Sequence, residues 1–431
     1  MKLHGTMGIK DNTLYIGGVS TKELAKKYNT PLYVFDEELI RGNCREYKEF
    51  FKVKENKNKI AYAGKAFLTK YMCQLINEEG VYLDVVSGGE LYTAHKANFP
   101  MERILFHGNN KTLDEIEMGV NLGVGIFVVD NFYELDILEK LCCEKNKVQN
   151  IYFRVTPGID AHTHKYIKTG QIDSKFGFTL TNGDFYMAVE KLKDYKNVNL
   201  MGIHAHIGSQ ILEVSPYEEE VDIMLNLVKK LKEDYNVEIK EVDFGGGIGV
   251  YYTENDRPKS IKEFCEKIIE KCDEKCQELN IKVPTLILEP GRSLVANAGS
   301  TLYSIGSIKE IKDVRTYVSV DGGMTDNIRP SLYQAGYECA IVDKMNNEEG
   351  SHKVTIAGKC CESGDILISN TNIFDIESGD ILITTSTGAY GYSMASNYNK
   401  IPKNPVVFVN NGEDKLICKR QSYEDLLSLE L

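Results

Sequence analysis

Three stretches of this sequence set reactive side chains beside glycine at the end of a short apolar run. Tyr62-Ala63-Gly64 is followed by Lys65. A lysine desolvated in such a place has a lowered pKa and can form a Schiff base with an aldehyde. Asp243-Phe244-Gly245-Gly246-Gly247-Ile248-Gly249 ends a second run, and three successive glycines let backbone N–H groups close on an anion such as phosphate. Glu289-Pro290-Gly291-Arg292 ends a third; it adds a further phosphate-competent loop and a guanidinium able to take a carboxylate bidentately. A rim lysine for an aldehyde and two loops for a phosphate describe pyridoxal 5'-phosphate. Glu289, opposite the pyridine nitrogen of that cofactor, would hold the nitrogen protonated and strengthen the ring as an electron sink.

Around Gly202-Ile203-His204-Ala205-His206-Ile207-Gly208-Ser209 the two histidines share one face by the two-residue strand period. That admits two readings. One is a metal pair, with His162 and His164 as conceivable further ligands, although no Asp or Glu stands at a recognisable spacing. The other packs an imidazole over a flat cofactor while Ser209 donates to its phosphate; no metal is expected. Further along, 321–338 read DGGMTDNIRPSLYQAGYE with Arg329 and Tyr333 four apart, 358–365 read GKCCESGD with a thiol directly before a carboxylate, and 387–392 read TGAYGY. Each alone is an ordinary turn; together they hold too many reactive groups for plain turns.

The elements that must position these residues follow from hydrophobic patterning. Strand-like runs fall at 60–64, 81–86, 103–107, 125–130, 151–155, 201–207, 239–244 and 285–289. Helical stretches lie between them at 66–79, 89–97, 112–120, 132–144, 216–235 and 259–279. Eight βα units in roughly 230 residues are the arithmetic of a TIM (β/α)8 barrel, with an open doubly wound sheet as the alternative. Unusual polar residues collect at the C-terminal strand ends, where barrels carry their chemistry. After residue 295 the helical period fades, and strand-like runs recur between Gly/Asp turns at 301–309, 315–320, 352–357, 366–368, 380–384 and 405–409. The fold class is therefore α/β: a barrel over 36–290 plus a mostly β, sandwich- or barrel-like domain from 1–35 and 291–431. TLYIGG near the N-terminus is expected to pair with that β domain.

The 431 residues carry 63 acidic and 51 basic side chains, a formal charge of −12. That excludes a nucleic-acid coat, which needs a basic excess to release counterions. The start MKLHGTMG lacks a signal peptide's apolar core, and no apolar run approaches the ~20 residues of a membrane helix. Eleven irregularly spaced cysteines suit a reducing compartment. The expectation is a cytoplasmic protein with neither nucleic-acid nor membrane partner.

The set YAGKA, DVVSGGEL, HGNNK, FRVTPGIDAHTH, GIHAHIGSQ, DFGGGIG, EPGRSLVANAG, IRPSLY, CCESGD and GAYGYSMASNYN, spread from about residue 30 to 400, resembles the diaminopimelate decarboxylases. These are fold-type III pyridoxal phosphate enzymes of the alanine-racemase barrel class. The resemblance implies decarboxylation of meso-2,6-diaminopimelate to L-lysine and CO2, the last step of lysine biosynthesis, by a homodimer with shared active sites. It implies that Lys65 carries the cofactor and His206 stacks on its ring, while Ser209, Gly247 and the loop Glu289, Pro290, Gly291, Arg292 hold phosphate and pyridine. Arg292, Arg329 and Tyr333 would bind substrate carboxylates, Glu362 the distal ammonium, and Tyr390 would line the cofactor and substrate site. Cys361 would be the proton donor, reaching across the dimer interface. The thiol is doubled at Cys360 and Cys361; strand alternation lets only one face the site, and adjacency to Glu362 selects Cys361. Asp84 and Arg154 stand at strand ends, touching either the cofactor or each other. Among rivals, an ornithine or arginine decarboxylase leaves two arginines underused, and an amino-acid racemase needs a second base facing Lys65.

Overall fold

The computed structural model describes residues 1–52, 58–159, 173–347 and 350–431. His162 and His164 lie outside the described residues. Eight parallel strands, Lys59–Ala63, Tyr82–Val85, Ile104–Phe106, Ile126–Val129, Gln149–Thr156, Val198–His204, Glu241–Asp243 and Thr285–Leu288, pair in sequence order. The eighth returns to the first through Ile287↔Lys59 and Leu288↔Ile60. The sheet is thus a closed barrel, and the open-sheet alternative is excluded.

The third strand is buried at every residue, as expected for a parallel strand covered on both faces. Ala61, Leu105, Val128, Tyr152 and Ile287, one from each of five strands, form a buried cluster that fills the barrel. Outside run the helices Lys70–Glu78, Gly88–Lys96, Leu113–Leu122, Phe132–Glu144, Ser215–Tyr235 and Ile261–Leu279. Five of the six starts are set by capping side chains: Thr69, Ser87, Thr112, Asn131 and Ser260 each accept a backbone N–H of the first turn. The Thr69 cap moves the first of these helices to residue 70 rather than 66, which frees Gly64–Ala66 to form a short 3₁₀ turn. Lys65 sits on that turn. The helix Asp184–Lys191 was not anticipated from the pattern.

The chain forms two compact units: Asn43–Gly249 with Pro258–Ser293, and Met1–Gly42 with Val250–Arg257 and Leu294–Leu431. The second is built on a sheet ordered Ile366–Phe374, Ser351–Ala357, Arg315–Val320, Gly299–Ile311, Leu32–Asp36, Val406–Asn410, Glu413–Cys418. Ile381–Thr384 pairs with both Gly299–Ile311 and Cys339–Ile341. The TLYIGG segment joins the β unit, its Leu14 N–H donating to Val342 O over 2.7 Å, but its strand partners are nearer in sequence. Thr13–Ile16 pairs with Gly8–Lys10 and Val19–Ser20 in a small sheet of its own. The cause is local: Asp11 and Asn12 both take positive φ, the geometry of a tight hairpin turn, so the nearest partner is the preceding strand. Leu14 and Ile16 still bury beside Leu32, Val34, Leu302 and Val407. The N-terminal strand that enters the large sheet is Leu32–Asp36, antiparallel to Gly299–Leu302 and parallel to Val406–Val409. Among the described residues no helix is long and apolar enough to cross a membrane.

Candidate active site

The C-terminal ends of the barrel strands surround a cavity of about 340 Å³ lined by Lys65, His107, Arg154, His204, His206 and Glu289 among others. Lys65 Nζ lies 3.5 Å from Asp84 Oδ2; the lysine side chain is 40% exposed and the aspartate fully buried. The lysine is therefore tethered at its end and open to the cavity.

Glu289, at the end of the eighth strand, is hydrogen-bonded through both carboxylate oxygens. Its Oε1 is 2.6 Å from His107 Nε2 and its Oε2 is 3.1 Å from His204 Nε2. Burial opposes its ionisation, but His107 and His204 outweigh that and hold it well below the usual carboxylate range. Asp243 moves the other way, pushed well up by burial and by the nearby Glu289 charge. Burial drives His204 down to about 3, so it is neutral at physiological pH. His206 is held well below its ordinary value by burial and then by Lys65 and Arg154, and its Nδ1 accepts the Gly246 N–H at 3.3 Å. The histidines at 204 and 206 thus bond to different partners and do not converge as a pair. Among the described residues, His107, His204 and Glu289 converge, with donor atoms within 4.8 Å of one another.

The glycine loop behaves as a cradle. A Cβ on Gly246 would lie 2.1 Å from the Glu289 carbonyl oxygen, and one on Gly247, where φ is +122°, would lie 2.3 Å from that of Gly208. Arg292 Nη2 donates to Ser209 Oγ over 2.9 Å, placing a guanidinium and a hydroxyl together after the sixth and eighth strands. An open lysine amine, a glycine cradle and a Ser–Arg pair suit a phosphorylated aldehyde, so the residues fit pyridoxal phosphate. Pro290 and Gly291 act through the backbone: Ala63 N–H donates to Pro290 O over 3.1 Å, and a Cβ on Gly291 would meet Ala63 Cβ at 3.0 Å. Arg154 does not pair with Asp84. Its Nε lies 3.9 Å from Asp130 Oδ1 and its guanidinium stacks over Phe176 at 4.2 Å.

In the β unit, Arg329 begins the short helix Arg329–Tyr333 and is buried, bonded to the Tyr337 hydroxyl and 4.8 Å over the Tyr252 ring. The 358–365 loop is organised by buried Asp365, which accepts N–H groups of Met324 at 2.6 Å and Cys360 at 2.8 Å. Cys360 is half-buried, with its thiol pushed up to about 11 by burial and Asp365. Cys361 is exposed, its N–H donating to Asn399 Oδ1 over 2.8 Å. Glu362 is exposed as well, and Tyr333 and Tyr390 are half-buried; Tyr390 holds a positive φ of 61°.

Sequence reasoning assigned no role to His107, Asp130, Asp243 or Asp365. His107 had a usable signal, its place at the end of the third strand within HGNNK.

Residues 37–296 match the family model for the pyridoxal-dependent decarboxylases, pyridoxal binding domain. Diaminopimelate decarboxylase of Bacillus subtilis (strain 168) is 49% identical over 432 aligned residues that span 100% of this chain and 98% of that protein. Diaminopimelate decarboxylase of Bacillus methanolicus is 50% identical over 98% of each chain. The crystal structure of diaminopimelate decarboxylase from M. jannaschii in co-complex with L-lysine matches with a TM-score of 0.93 and 37% identity, over 99% of this chain and 98% of that one.

Proposed function

The chain belongs to the diaminopimelate decarboxylases, within the pyridoxal-dependent decarboxylases, and on that premise we propose how its residues divide the work. The reaction converts meso-2,6-diaminopimelate to L-lysine and CO2 with pyridoxal phosphate as cofactor. The observation that carries this reading is the single barrel-mouth cavity shared by Lys65, His206 and Glu289.

When bound, the cofactor supplies a conjugated ring that accepts the electron pair left as the Cα–carboxylate bond breaks. Lys65 would anchor it through Nζ. The Gly245–Gly247 backbone, Ser209 and Arg292 hold its phosphate, His206 packs against the ring, and Glu289 keeps a proton on the ring nitrogen. Arg292, Arg329 and Tyr333 bind the substrate carboxylates, Glu362 takes the distal ammonium, and Tyr390 lines the site. After CO2 leaves, Cys361 protonates Cα. An exposed thiol beside an exposed carboxylate supports a role toward a second copy, so the working form is a homodimer in which Cys361 and Glu362 serve the partner's site. A cytoplasmic location follows from the biosynthetic role. Incubation with meso-diaminopimelate, assayed for CO2 and lysine beside ornithine, arginine and lysine controls, tests the assignment. Turnover of ornithine or arginine in preference would overturn it.

A further inference from the structure

Glu289 is gripped from two sides by histidines that neither bind phosphate nor hold the cofactor covalently. His107 and His204 are 3% and 1% exposed, and their rings meet edge-on with centroids 4.8 Å apart. Each gives one Nε2 to a different oxygen of Glu289, at 2.6 and 3.1 Å. A buried carboxylate survives as an anion only when its oxygens are hydrogen-bonded. Each carboxylate oxygen has two lone-pair directions, and the two histidines use one direction on each.

The choice of histidine over arginine matters. An arginine would occupy both oxygens bidentately and cancel the charge permanently. His204, neutral because burial pushes it down to about 3, donates a hydrogen bond without supplying a cation. Since the ionised Glu289 can only accept, the His204 proton must sit on Nε2. Its Nδ1 has no hydrogen-bond partner among the described residues, so that tautomer is set by Glu289 alone. The charge of Glu289 therefore remains available to one further cationic group facing the cavity.

We propose that His107 and His204 are positioning residues that fix Glu289 as a carboxylate aimed at the cofactor's ring nitrogen, so that the nitrogen keeps its proton during turnover. This rests on the role given to Glu289 above. The ionisable groups that face this cluster include Asp84, 3.8 Å from His107 Nε2, then Asp243, Arg154, Lys65 and His206, with Glu90 toward His107 and Tyr152 toward Glu289.

The test uses holoenzyme carrying His107→Leu, His204→Leu, His107→Gln or His204→Gln, loaded with pyridoxal phosphate or with an analogue whose ring nitrogen is replaced by carbon. The Leu variants remove the donor; in Gln the amide N–H reaches about as far as Nε2. With the natural cofactor, the Leu variants should lose roughly tenfold or more in kcat with little change in KM. Their bound-cofactor absorption, steady across neutral pH in the unsubstituted protein, should become pH-dependent as the ring nitrogen loses its proton. Gln should restore most of both. With the ring-carbon analogue, the unsubstituted and Leu proteins should converge in rate and show no such titration. An equal penalty with both cofactors, or a Leu spectrum as steady as the parent's, overturns the proposal. If a Leu variant does not fold, Asn at the same position, too short to reach Glu289, takes its place. Should the unsubstituted enzyme release no CO2 from meso-diaminopimelate, the functional assignment fails, while the absorption titration still decides the histidine role.

Discussion

Lys111 Nζ lies 2.7 Å from Glu134 Oε1, with both side chains 1% exposed. The same ammonium donates to Gly108 O at 3.0 Å and Val128 O at 2.9 Å, which uses all three of its protons. The second Glu134 oxygen accepts the Asp130 N–H at 3.0 Å. This pair rivets the loops after the third and fourth barrel strands and so fixes Asp130, the partner of Arg154. Removing one member leaves a buried charge alone, at a cost of roughly 3–5 kcal/mol. Lys111→Met should therefore lower the denaturation midpoint strongly, and Lys111→Met with Glu134→Leu should recover much of the loss. A double variant less stable than the single one would contradict this account.

Glu220 presents the opposite case, a buried acid with no pairing. It is fully buried in the helix Ser215–Tyr235, and neither carboxylate oxygen has a hydrogen-bond partner among the described residues. Burial pushes its carboxyl well above the ordinary value, so the folded protein keeps this proton while the unfolded chain releases it above about pH 4.3. From there upward the unfolded state binds fewer protons, and stability falls with pH until the folded group ionises, by up to about 1.4 kcal/mol per pH unit. Glu220→Leu should remove that contribution and stabilise the protein more at pH 8 than at pH 5. Urea melts at both values check it; a gain of equal size at each would show that the carboxyl does not titrate as argued.

The barrel was legible because parallel strands covered on both faces become short apolar runs, and Ile104–Phe106, buried throughout, is the plainest example. Lys65, the glycine loop and Glu289 were legible from position, since each follows such a run directly. The grip on Glu289 was not, because His107 and Glu289 are 182 residues apart and only barrel closure brings them together. TLYIGG takes its strand partners locally through the Asp11-Asn12 turn and meets the β domain through the Leu14 N–H to Val342 O bond, a division that a strand signal alone does not reveal. Polar residues hid the rest of Ile366–Phe374, where Ser369, Asn370, Thr371 and Asn372 interrupt the apolar signal yet continue the strand.

The shared-site proposal rests on Cys361, exposed on its own chain, and Lys65 serving one reaction from two subunits. Lys65→Ala should abolish turnover and the yellow absorbance of the bound cofactor. Cys361→Ala should keep the absorbance and lose most of the rate. Mixed in equal amounts under conditions that exchange subunits, the two inactive proteins should regain about a quarter of the parent activity, because half the dimers are hybrid and each hybrid has one intact site. Silence after proven exchange would place both groups in the same subunit's site or remove Cys361 from the chemistry.

The glycine cradle makes the sharpest steric prediction. At Gly247 the backbone holds φ at +122° and an added Cβ would approach the Gly208 carbonyl oxygen to 2.3 Å. Backbone meets backbone there, so no side-chain rotation can relieve the overlap, and the positive φ disfavours any L side chain besides. Gly247→Ala should therefore displace the loop and weaken cofactor retention by roughly tenfold or more, measured as loss of visible absorbance on dilution. Inorganic phosphate supplies the internal control: it should slow cofactor loading in the parent by competing for the cradle, and do so much less in the variant. If Gly247→Ala binds cofactor as tightly as the parent and phosphate competes equally with both, the phosphate is held elsewhere.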